Sequence, residues 1–260
     1  MRIGTVPFLN AVPLTWRLQQ AGLNGEVISA PPRELTSLLI DGHLDAGLIP
    51  IVDYLHGAGD AIVKNISIAA EKQTDSVLLI SRVPIPEVES VAVDRGSRSS
   101  IALLQILLAE RHDLHPLIKP ADPDVDAMLE KADAALVIGD PALRYKPRAA
   151  YVTIDLASEW NALTGLPFVF ATWVVREGVD GQSIARILLE AKKQGLCHLD
   201  EILEAEAAAR NIAASVARTY LTERLQYDLT EQHVSVISKF GEMCVSHGIT
   251  ERNRELRFVG

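Results

Sequence analysis

A chain of 260 residues, 48% hydrophobic and 23% charged, can bury one large core or two smaller ones, and this composition excludes a disordered polypeptide. The formal net charge of −9, with no basic run to offset it, argues against a nucleic-acid partner, although a few local donors can still hold a small anion. No run of about 18 apolar residues occurs, and the opening MRIGTVPFLN, with one arginine and an early Pro7, does not read as a signal peptide, so a cytoplasmic protein with no membrane partner is expected.

In chain order, RIGTV reads as a strand, and NAVPLTWRLQQAG as a helix entered after Asn10 and stopped near Gly22. GEVISA is a second strand, PPRELTSLLIDGHL a helix with Leu35, Leu38 and Leu39 on one face, DAGLIP a third strand, and IVDYLHGAG a short helix closed by glycines. This alternation implies parallel strands with helices on the sheet faces. After ISIAAEK, DSVLLIS reads as a strand. ESVAVD followed by RGSRSSIALLQILLAER restarts the rhythm, and the helix DVDAMLEKA leads to the strand AALVIGDPAL. GLPFVFATW comes next. As a strand it would put Phe168 and Phe170 on one face and Pro167, Val169 and Ala171 on the other. Beyond it the patterns are nearly all helical, in SIARILLEAKKQG, residues 200–210, SVARTYLTERL and TEQHVSVISKFGEMCVSHG.

Two β-α units joined by extended segments near 76–84 and 167–174 make an α/β, two-lobed binding fold with a helical C-terminal segment. Residues 1–78 plus 168–260 are expected as the first lobe and 79–167 as the second, with hinge strands crossing between them. Ligands of open α/β sheets sit at the carboxyl ends of strands, which is where Asn10, Pro50 and Gly139 fall, and Ser76 would sit at the outgoing crossing, opposite the 96–100 turn. The aromatic strand would lend the cleft an apolar wall through Phe168 and Phe170.

Asn10 suits an ordinary helix cap, but its turn also opens toward the cleft, where its amide could hold a carboxylate or hydroxyl. Gly96, Ser97, Arg98, Ser99 and Ser100 lie between a strand and a helix. Free amides at a helix start, with hydroxyls and a guanidinium beside them, are suited to an anion, and one cap would need only one serine. The Walker spacing and its lysine are missing, so a nucleoside triphosphate is not expected. Asp140 caps the turn before Pro141 or acts as a base. Ser76 enters on position alone. The seven histidines form no ligand spacing with each other or with cysteine, so neither a metal nor an organic cofactor is expected. Cys197 and Cys244 read as free, buried thiols.

Together, FLNAVPL, DAGLIP, SVLLIS, ALVIGDPAL and TGLPFVFATW resemble the chorismate dehydratases of the futalosine route to menaquinone, over about residues 3 to 176. Ala11 departs from the pattern, in which a threonine or similar residue would follow the asparagine. The resemblance implies a class 2 periplasmic-binding-protein-like (flytrap) fold used as a lyase. Its substrate would be chorismate and its product 3-[(1-carboxyvinyl)oxy]benzoate, with the substrate's own enolpyruvyl carboxylate or Asp140 taking the proton. The dihydroxynaphthoate synthase of the same pathway would be expected to open with a Cys-Pro-Asn-Asp-type motif, which PFLNAVPL does not match. An exported solute-binding protein would carry a leader or anchor cysteine. A ligand sensor of the same fold without catalysis remains an alternative.

Overall fold

The computed structural model describes all 260 residues. The chain opens with β1 (Arg2–Thr5), a 3-10 turn at Leu9–Ala11 and one helical turn, α1 (Val12–Thr15), followed by β2 (Glu26–Ser29), α2 (Pro32–Ile40), β3 (Ala46–Pro50) and α3 (Ile51–Leu55). β1 pairs in parallel with β2 and β3. All of β3, AGLIP, is buried, as a strand covered on both faces must be. The helix expected from Asn10 to Gly22 is much shorter, because Trp16 leaves helical geometry and Arg17 turns left-handed at φ 57°. Tertiary packing explains the tight turn. The later helix that carries Gly195 presses so close here that a Cβ on that residue would come 1.8 Å from the Pro13 carbonyl.

The long β4 (Ala61–Ala70) precedes β5 (Val77–Ser81), β6 (Ser90–Asp94), α4 (Ser99–His112), β7 (Leu117–Ala121), α5 (Val125–Lys131), β8 (Ala134–Ile138), α6 (Asp140–Arg144), β9 (Val152–Asp155) and α7 (Leu156–Thr164). Of these, β4, β7, β9, α6 and α7 were not legible as separate elements. AALVIGDPAL is a strand only to Ile138, after which Gly139 turns the chain into α6.

The return strand β10 (Phe168–Val175) is followed by α8 (Gly181–Cys197), α9 (Leu199–Ala209), α10 (Ala214–Thr219) and a π-helical turn at Tyr220–Arg224. Then come β11 (Leu225–Gln226), α11 (Glu231–Ser246) and β12 (Phe258–Val259). The tail is therefore not all helix, since both short strands return to β4.

Two sheets result. One has the order β11-β4-β10-β3-β1-β2 with β12 also beside β4, and the other is β7-β6-β8-β5-β9. β10 runs antiparallel to β3 and β4, and β5 antiparallel to β8 and β9. The expected hinge strands are thus full members of one sheet each, and the chain passes between sheets in the loops at 71–76 and 165–167. Both loops are pinned. The half-buried Asp155 carboxylate accepts from the Thr74 and Asp75 amides at 3.0 and 2.7 Å while its other oxygen caps α7. Trp160 of α7 donates to Pro167 O at 2.8 Å and packs edge-on against Phe168 and Phe240, with centroids 5.3 and 6.0 Å away. One apolar core spans both sheets, so burial itself opposes their separation.

Of the two thiols, Cys244 is buried and its thiol is pushed up to about 12 by burial, whereas Cys197 is exposed, contrary to expectation. Leu196 and the helix end at His198 leave Cys197 on the solvent side of α8.

Candidate active site

Between the sheets lies a cavity of about 630 Å³, open solvent at its mouth included. Of the sequence candidates, Asn10, Pro50, Ser76, Ser97, Arg98, Ser99, Ser100, Gly139 and Phe170 all line it. Phe168 and Asp140 do not. No carboxylate and no histidine reaches the lining, where the only ionisable side chains are Arg98 and Tyr220.

One end is the turn into α4. Asp94 holds the turn by accepting from the Gly96 amide at 2.8 Å through its side chain and from the Ser97 amide at 3.0 Å through its carbonyl. Arg98 occupies the cap position with φ −133° and makes no side-chain cap. The first-turn amides of α4 have no backbone acceptor, and Ser97 to Ser100 line the cavity, so this positive helix end is suited to receive an anion. Ser97 Oγ is buried, has no hydrogen-bond partner and is suited to join those amides in holding a ligand. Ser99 Oγ accepts from the Val52 amide at 3.2 Å, linking the two sheet units while its own proton stays free. Arg98 is partly committed: its Nε donates to the fully buried Asp53 at 2.9 Å, and Asp53's other oxygen accepts from Thr36 at 2.6 Å.

The other end is built from side chains. Tyr220 donates to Ser76 Oγ at 2.9 Å, and Ser76 Oγ lies 2.9 Å from Thr74 Oγ1. Burial drives the Tyr220 phenol well above its ordinary pKa, although Ser76 and Asn10 favour its ionised form, so it stays protonated near neutral pH. Asn10 also lines the cavity, and its Oδ1 is buried and unpartnered. Asn10 sits inside the 3-10 turn; Phe8 and Ala11 occupy the cap positions, so capping does not explain it.

Gly139 closes one wall. Its φ of 64° is open to glycine, and a Cβ there would lie 2.8 Å from the Phe8 ring, which also lines the cavity. Its amide donates to Ser76 O at 2.8 Å, fixing the backbone of the hydroxyl cluster.

The aromatic wall differs from expectation for a reason the alternation rule cannot contain. β10 carries a bulge between Val169 and Ala171, which lets Phe170 and Ala171, neighbours in sequence, both reach the cavity. Phe168 instead belongs to the Trp160–Phe240 cluster and supports Phe170 from behind, with ring centroids 4.8 Å apart. Asp140 has both oxygens engaged: Oδ1 accepts from the Leu9 amide at 2.9 Å and Oδ2 from Arg210 at 2.8 Å. It ties α6 to the first turn and to the tail, and does not face the cavity.

Sequence reasoning missed Tyr220, Thr74 and Phe8. Tyr220 lay in an ordinary helical pattern, and only the π turn, invisible in periodicity, marks it. No group of three or more His, Cys, Asp or Glu sits together as a metal site would require, and no helix is long and apolar enough to cross a membrane. The arrangement offers a small ligand an apolar wall, backbone donors at one end and a mixed donor–acceptor cluster at the other.

Comparison with known proteins agrees with this architecture. A solved structure of a protein from Archaeoglobus fulgidus superposes with a TM-score of 0.74 at 15% identity, covering 95% of this chain and 97% of that one. The periplasmic aliphatic sulphonate binding protein of Escherichia coli superposes at 0.60 with 14% identity, covering 97% and 89%. The fold is thus class 2 periplasmic-binding-protein-like, a two-sheet α/β flytrap with a C-terminal helical segment. In sequence, the chain is 29% identical over 258 residues to a chorismate dehydratase of Thermus thermophilus, covering 92% of this chain and 93% of the relative. It is 25% identical over 252 residues to one of Campylobacter jejuni, covering 94% and 97%. The family model described as menaquinone biosynthesis matches residues 1–246, and the chain belongs to that family.

Proposed function

We propose that this chain is a chorismate dehydratase, a lyase that converts chorismate to 3-[(1-carboxyvinyl)oxy]benzoate and water in menaquinone biosynthesis. The family and both named relatives support this reading. The observation that carries it is the character of the cavity: an apolar wall between two polar ends, with no carboxylate or histidine in the lining. Such a site fits a small dianion with a ring, and fits a reaction whose driving force lies in the substrate.

The ring gains aromaticity when its C3 proton and C4 hydroxyl depart together as water. As the C3–H bond breaks, its electron pair spreads through the ring double bond toward the ring carboxylate. Donors already in place at that carboxylate lower the barrier, because they need no reorganisation during the reaction. The α4 amides and Ser97 are suited to that task. The C–O bond at C4 then breaks, the electron pair completes the aromatic ring, and the departing hydroxide takes up the proton removed from C3, so that one water is released. Asn10 Oδ1 is a free acceptor suited to hold the departing hydroxyl in line.

A base is still required. Asp140 is held by Leu9 and Arg210 away from the cavity, which favours the substrate's own enolpyruvyl carboxylate as proton acceptor. Phe170, Pro50 and Phe8 would exclude water from the ring and hold it between the polar ends. The direct test is incubation of purified protein with chorismate, followed by mass spectrometry. The reading expects a product lighter by one water with an aromatic absorbance. Unchanged chorismate overturns it.

A further inference from the structure

Three hydroxyls and one amide meet at the end of the cavity away from α4, and their protons can be counted. Tyr220 donates its proton to Ser76 Oγ at 2.9 Å, the direction expected when a phenol, the stronger acid, meets an aliphatic alcohol. Thr74 Oγ1 and Ser76 Oγ share one further hydrogen bond at 2.9 Å. That bond uses one of the two aliphatic hydroxyl protons and leaves the other over. Ser76 and Thr74 both line the cavity, and neither has another side-chain partner. The spare proton is therefore available to a ligand whichever way the Ser76–Thr74 bond runs. Asn10 also lines the cavity, and its Oδ1 is buried and unpartnered.

We propose that Tyr220 is a positioning residue that sets the polarity of this end of the site: by occupying a lone pair of Ser76 Oγ, it fixes the Ser76–Thr74 pair as a hydrogen-bond donor to the substrate. The chain that delivers Tyr220 is built for placement rather than for helix continuity. α10 ends at Thr219, and the π turn at Tyr220–Arg224 begins with Tyr220 itself, buried at 1% exposure. Arg224, at the end of that turn, donates to Asp75 at 2.7 Å, so the turn is fastened to the crossing loop that carries Thr74 and Ser76. Without the phenol, the Ser76 lone pair that it occupies is released, and the pair can accept from the substrate as well as donate to it. The pair would then no longer be committed as a donor before the substrate arrives.

The assignment rests on the chorismate reading, and a double-mutant cycle tests it. Tyr220→Phe, Ser76→Ala and the double variant are compared with the parent for kcat and KM on chorismate. Tyr220→Phe is expected to lower kcat by about tenfold, the loss of one oriented hydrogen bond in the transition state, with a smaller change in KM. Because Tyr220 acts through Ser76, the double variant should match Ser76→Ala to within about twofold in kcat. Independent, multiplying losses would overturn the assignment and make Tyr220 a direct substrate contact. An unaltered kcat in Tyr220→Phe would also overturn it. If Tyr220→Phe does not fold, 3-fluorotyrosine placed at 220 keeps the shape and makes the phenol more acidic. It should then change kcat in the parent background and leave it unchanged in Ser76→Ala, and equal effects in both backgrounds would overturn the proposal. A parent chain that leaves chorismate intact overturns the substrate reading and this assignment with it, whereas an active parent insensitive to position 220 overturns the assignment alone.

Discussion

The two ends of the cavity hold polar groups in different ways. At the α4 end the donors are chiefly backbone amides at a helix start, set by the fold, with Ser97 Oγ added beside them. At the other end every polar group is a side chain, and the hydroxyls depend on one another for direction: Tyr220 on Ser76, Ser76 on Thr74. Backbone donors survive any side-chain truncation, so the first end should tolerate substitution and the second should not. Affinity is expected to reside mainly at the α4 end, and the geometry of reaction at the other.

The sharpest test of this contrast is Asn10→Ala. Loss of the buried acceptor should lower turnover by roughly 10²-fold, because the departing group loses its in-line position. Asn10 caps no helix, so the thermal midpoint should hardly move. A folded variant with parental turnover would remove Asn10 from the chemistry and end the contrast.

At the opposite end, Ser97→Ala should weaken chorismate binding by about tenfold, the worth of one hydrogen bond to a charged group, with a smaller change in kcat. Titration calorimetry under non-turnover conditions reads the first quantity and steady-state kinetics the second. A collapse of kcat matching that of Asn10→Ala would show that the two ends share one task.

The smallest effect on turnover is expected from Asp140→Ala. Its carboxylate is tied to the Leu9 amide and Arg210, so its loss should cost about 2 kcal/mol of stability in denaturant unfolding. Arg210 keeps its pair with Glu206 at 2.9 Å, which limits the damage. The folded variant should keep turnover within a few-fold of the parent. If instead stability held and turnover vanished, Asp140 would be the base, and the side-chain end would extend beyond the lining described above.

Much of this site was legible before any coordinates. Asn10, Gly139 and the 97–100 turn could be found because each follows a strand and leads into a turn or helix, and that local rule places residues at a sheet's carboxyl edge, whereas Ser76, just before β5, was found only from its place at the crossing. Partners distant in sequence were not legible. Nothing near Arg98 announces Asp53, and nothing near Asp140 announces Arg210, because each pair is made by the packing of separate units. The bulge that turns Phe170 inward while Phe168 stays in the core breaks the period of two on which the strand reading relies. Tyr220 was hidden for a similar reason: a π turn inserts one residue into a pattern that reads as continuous helix.

The placement of β10 has a consequence for how the molecule comes into being. β3 and β4 are both made early, yet each pairs with β10 between them and not with the other. Every strand of the second sheet, residues 77 to 155, leaves the ribosome before residue 168 does. The sheet begun last is therefore the first whose strands are all present. Until residues 168–175 emerge, β3 and β4 lack the strand that each pairs with in the finished sheet, and an edge left open in this way is the kind that seeks a partner in any neighbouring chain.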